Sequence, residues 1–161
     1  MKQTHLIADA YHAATIEGAW YGPSLAELLA KISPEIAVIP PTPEAHSIST
    51  LLQHLLLWNE RIRKACEGDP LPKWQADKEW AEPPIPWSEL VTRWNQSRDL
   101  VEAKIRNFPI DDLTKQVSGR SYPYETMLHG IVQHTIYHAG QIAMVLSMLR
   151  SRTRCADNLP T

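Results

Sequence analysis

Two cysteines, Cys66 and Cys155, are all that 161 residues contain, too few for a disulfide scaffold of this size. No apolar run approaches the roughly 18 residues of a membrane-spanning helix. The opening stretch Met1–Asp9 lacks the apolar core of a signal peptide. Charge of either sign is not in excess: 16 Lys and Arg face 18 Asp and Glu, for a formal net charge of −2. That balance argues against a dedicated nucleic-acid binder, and against an acidic tail or a highly charged disordered chain. These absences together predict a cytoplasmic protein with reduced thiols, with neither nucleic acid nor membrane as partner.

Familiar catalytic spacings are missing too. There is no phosphate loop, no Gly-x-Ser-x-Gly elbow, no His-Glu-x-x-His and no Cys-x-x-Cys. The two Glu-x-x-His motifs of a di-iron bundle are absent. Cys66 has no base beside it in sequence, which argues against a cysteine nucleophile.

What remains is a surplus of 13 prolines, six tryptophans and seven histidines beside one phenylalanine. The length fits one domain, residues 1–161, at about 150 residues per domain. Prolines cluster at 40–43, 70–72 and 83–86 and read as punctuation between helices. Apolar periodicity predicts long helices over about Thr4–Glu17, Ser47–Cys66, Trp87–Asn107 and Tyr124–Leu149. On the first, the stripe is read as Leu6, Ala10, Ala13 and Ala14, and Ser88 is read as a cap of the third. Ser24 with Glu27 forms a capping-box pattern for one short additional helix, Leu25 to about Ile32. The connector Asp111–Tyr124 has the residues of a tight turn or short hairpin, and the tail from about Ser151 is expected to be disordered. The fold class is therefore all-α, a four-helix bundle with one short additional helix.

Cofactor sites in bundles are built from polar side chains on inner faces. The last helix carries a seam of Leu128, Ile131, Thr135, His138, Ile142, Val145 and Leu149, in alternating steps of three and four. His138 lies in that seam. His134 sits one turn earlier, offset by about 40° and about 6 Å along the axis. His54 lies between Leu51 and Trp58 on the second long helix, at the shoulder of its apolar face. Three neutral imidazoles aimed into one core are satisfied by a divalent cation; three separate core histidines with ordinary hydrogen-bond partners are the competing reading. His5, His12, His46 and His129 read as bystanders near a terminus, on the surface or near a cap.

The stretch His134-Thr-Ile-Tyr-His138-Ala-Gly140-Gln141-Ile142 resembles the His-x-x-x-His-x-Gly-Gln-Ile signature of the DinB/YfiT-like family. Ala19–Leu25 and Ser47–His54 resemble two further segments of that family, so the likeness spans about Leu6 to Leu149. The resemblance implies a DinB-like bundle in which His54, His134 and His138 bind a divalent metal, zinc or nickel. It implies thiol-S-transferase activity with a low-molecular-weight thiol on small electrophiles, or metal-dependent hydrolysis, and a homodimer. A non-catalytic bundle that binds a metal or small ligand, or serves as an interaction module, is the alternative. Three protein ligands leave coordination positions open for substrate or water. Gly140 is read as permitting close helix approach. Gln141 reads either as a partner of a metal-binding histidine or as an interfacial amide. Trp58 and Tyr137 read either as pocket walls or as packing.

Overall fold

The computed structural model describes residues 2–73, 75, 79–80 and 83–157, excepting the side chains of 153–157. Four long helices carry the fold: α1 (Gln3–Thr15), α4 (Ile48–Ala65), α5 (Trp87–Arg106) and α6 (Tyr124–Asp157). Two short helices, α2 (Leu25–Leu29) and α3 (Pro34–Ala37), join α1 to α4, and a 3₁₀ turn (Ile110–Asp112) follows α5. The described residues contain no strand, and the all-α bundle is as expected.

Several helix ends follow local chemistry. The Glu27 N–H donates to Ser24 Oγ at 3.3 Å while the Ser24 N–H donates to Glu27 Oε2 at 2.7 Å. That reciprocal capping box starts α2. Ser47 Oγ accepts from the Thr50 N–H and starts α4. After α4, Gly68 takes φ +100°, a left-handed conformation that costs glycine nothing.

Other boundaries correct the sequence reading. The expected single short helix is two, because Pro34 opens α3 from the first position, where its missing N–H is not needed. Pro86, not Ser88, is the residue before α5; Ser88 lies inside it, its carbonyl accepting from Thr92 Oγ1. The tail expected to be disordered from Ser151 continues α6 through Asp157, and only 158–161 lie outside the described residues. On α1, Leu6 is half exposed, while Ile7, Ala8, Tyr11 and Ala14 are buried. Tyr11 decides that face: its hydroxyl donates to Asn59 Oδ1 of α4 at 3.0 Å inside the core.

The core has two apolar halves. Leu51, Leu52 and Leu55 of α4 meet Leu90 and Trp94 of α5, with Ile142 and Leu146 of α6, in the first. Ile62 of α4 meets Val101 and Ile105 of α5, with Leu128 and Ile131 of α6, in the second. Both α4 and α5 run from the first half to the second, whereas α6 runs back. Two consecutive parallel helices need a crossover along the bundle. The described residues between α4 and α5 mark it, with Leu71 in the second half and Trp80 and Ile85 against the first. This topology carries the crossover past the point where α6 passes between the halves, at His134 and His138.

Candidate metal centre

His54 comes from α4; His134 and His138 are one turn apart on α6. Their rings converge. His134 Nε2 lies 3.1 Å from His54 Nε2 and 3.1 Å from His138 Nε2. One nitrogen from each of the three lies within 4.8 Å of the others. Ligands of one tetrahedral ion at bond lengths of about 2.0–2.1 Å stand about 3.3 Å apart, so the two short separations have the scale of a shared cation.

The outer nitrogens decide which inner ones carry lone pairs. Gln141 Nε2 donates to Tyr137 Oη at 3.2 Å, which leaves Gln141 Oε1 to face His138 Nδ1 at 2.6 Å. An amide oxygen only accepts, so His138 carries its proton on Nδ1 and a lone pair on Nε2. His54 Nδ1 stands 3.7 Å from the Glu79 carboxylate, which likewise favours the proton on that side. Two inward lone pairs then face His134 Nε2, which can donate to one of them at most. His54 Nδ1 and His134 Nδ1 are both buried without a hydrogen-bond partner among the described residues. The donor set therefore suits a cation better than it suits mutual hydrogen bonding.

Charge state agrees. Burial, and then the neighbouring His138, push His54 down to about 4. Burial followed by the other two imidazoles pushes His134 down to about 3. Burial is also the leading cause that lowers His138. Neutral imidazoles are what a divalent metal requires.

The crossover contributes two residues that spacing did not reveal. The Glu79 side chain is 1% exposed and accepts from Arg61 Nη1 at 2.6 Å and from Trp58 Nε1 at 3.0 Å. Trp80 lies between two imidazoles, stacked 3.8 Å from His46 and 4.2 Å from His54. His46, read as a bystander near a cap, is thus a wall of the site. The remaining bystanders keep that reading: His129 is exposed, and His12 pairs with Glu102 at 3.0 Å. No signal in the crossover marks Glu79, since it is one of five acids there and resembles any solvated loop residue.

Trp58 and Tyr137 line a chamber of about 310 Å³ with His46, Trp80, Gln141 and the three clustered imidazoles. Tyr137 is 63% exposed and sits at its mouth rather than in the core. Gly140 does not serve a close helix approach: a Cβ there would meet nothing within 4 Å. Cys66 stays outside the site chemistry, its thiol pushed up to about 12 by burial. No helix among the described residues is long and apolar enough to cross a membrane.

Compared with known proteins, the chain matches the family model of the DinB superfamily over residues 19–142. No curated protein and no solved structure matches it.

Proposed function

We propose that this chain, which belongs to the DinB superfamily, is a metal-dependent enzyme that transfers a low-molecular-weight thiol to a small electrophile. The observation that carries the reading is the convergence of His54, His134 and His138, whose inner nitrogens cannot all be satisfied by hydrogen bonds to one another. Those three side chains would hold a divalent cation; imidazole donors suit zinc, nickel, copper and iron alike, and zinc or nickel is what the family resemblance implies. When bound, the ion supplies a Lewis acid that lowers the pKa of a thiol or water ligated to it.

The rest of the site supports thiol transfer ahead of hydrolysis. Glu79, the carboxylate beside the cluster, is committed to Arg61 and Trp58 and is not free as a general base. A thiol that gives its proton to solvent needs no such base. Its sulfur then forms the C–S bond while the carbon–leaving-group bond breaks, the leaving group departing with the electron pair. Gln141 holds the His138 tautomer, the Glu79 carboxylate biases His54 electrostatically, and Trp80 with His46 forms one wall of the site.

Metal analysis of natively purified protein tests this first. Near-stoichiometric metal is expected in the wild type and almost none in His134→Ala; equally little in both refutes the site. Turnover of a halogenated electrophile with bacillithiol, mycothiol or glutathione tests the reaction. Metal-loaded protein that turns over no thiol is a binder, not a transferase.

A further inference from the structure

A second cavity, of about 270 Å³, reaches the same cluster. Trp58 and His134 line both spaces and so form the partition between them. The second cavity is otherwise walled by Ile62, Leu71, Tyr122, Met127, Gly130 and Ile131, with Thr126 at an exposed rim position. Apart from His134, no acidic or basic side chain lines it. Its outer wall is fixed by backbone hydrogen bonds: the Leu71 N–H donates to Ser118 O, and the Val117 N–H donates to Tyr122 O, both at 3.1 Å.

Keeping this space open opposes stability twice. Apolar walls left facing solvent forgo the gain of burial. Gly130, inside α6, also loses more conformational freedom on folding than alanine would. A Cβ at Gly130 would meet nothing within 4 Å, so packing does not demand glycine there. Both costs are understandable if the volume is filled by a ligand.

We propose that this chamber is the acceptor subsite, taking the uncharged apolar part of the electrophile and placing its reacting end at the Trp58–His134 partition. The inference rests on the metal-dependent transfer reading and adds the class of substrate: a neutral compound with a compact aromatic or branched alkyl group. A cavity of about 150 Å³ lined by Leu, Ile and Phe accepts benzene, so the larger volume here suits a fused two-ring group. Phosphorylated or carboxylated groups find no cation in it.

Naphthalene is the probe, titrated into full-length wild type, Gly130→Leu and Thr126→Trp, with the Met127 methyl resonance followed and metal content measured on each sample. The wild type should show a saturable Met127 shift. Both variants should bind at least tenfold more weakly at unchanged metal content. If Gly130→Leu does not fold, Thr126→Trp carries the comparison, because its side chain enters from an exposed position. Absence of a saturable shift, or wild-type affinity in a folded variant, overturns the proposal. So does loss of binding as protein concentration rises, which would assign the chamber to a second copy of the chain. Metal-free His138→Ala should still bind naphthalene. If the wild type holds no metal yet binds naphthalene and Gly130→Leu does not, the chamber stands and only the metal reading fails.

Discussion

Glu79 Oε2 stands 3.7 Å from His54 Nδ1, although the two residues come from the crossover and from α4. The carboxylate is buried and held by Arg61 and Trp58, so it presents a fixed negative charge behind the imidazole. At 3.7 Å the carboxylate acts on the ring through its charge; where such a group accepts the ring N–H outright, its loss typically costs about 10–100-fold in metal affinity. Glu79→Gln should weaken metal binding within that range, as measured by competition with a chelator. Glu79→Ala should also destabilise the fold by about 3 kcal/mol, because it strands the Arg61 guanidinium. Unchanged chelator competition in Glu79→Gln would show that the carboxylate does not act on His54.

Gln141 plays the corresponding part for His138. Gln141→Leu removes the acceptor at Nδ1 and frees the imidazole to take the other tautomer, with its proton aimed into the cluster. About tenfold weaker metal binding is expected. Gln141→Glu keeps an acceptor and should retain most of the affinity. Equal affinities for Leu and Glu would mean that the amide does not set the tautomer.

Acid should destabilise the metal-free protein. Above about pH 7.5, a unit over the free imidazole's value of about 6.5, the clustered histidines are neutral in both folded and unfolded chains and contribute no pH dependence. Below that, the unfolded chain takes up protons that the folded one refuses until about pH 4 at His54 and about 3 at His134. Stability therefore falls as pH falls through this window. Melting temperatures of chelator-treated wild type and His134→Gln should diverge in slope between pH 6.5 and 4.5, the variant being flatter. Parallel slopes would contradict the depressed histidines.

Cys66 should be inert in the folded protein. Its half-buried thiol, pushed up to about 12, holds almost no thiolate at pH 8. In a Cys155→Ser background, a thiol-reactive disulfide should label Cys66 slowly without denaturant and rapidly with it. Fast native labelling would restore Cys66 as a nucleophile candidate.

The long helices were legible in the sequence because apolar periodicity and capping residues act within a few positions. Ser24 with Glu27, and Ser47 with Thr50, do in space what their spacing suggests. The α1 face differs from its sequence reading because Leu6 and Ile7 are adjacent and comparably apolar, so spacing does not choose between them, whereas burial follows the Tyr11–Asn59 hydrogen bond to another helix. Gly140 was misread for a related reason, since composition does not reveal which side of α6 meets solvent.

By itself the sequence determined the all-α class and the positions of His54, His134 and His138 on two helical faces, since those depend on the 3.6-residue turn. Only the tertiary structure decided that the three imidazoles meet, that Glu79 and Trp80 stand behind them, and that two chambers share the His134–Trp58 partition. The reason is topological. Parallel α4 and α5 require their connection to return along the bundle, and that path, which no local pattern encodes, brings Glu79 and Trp80 onto the cluster.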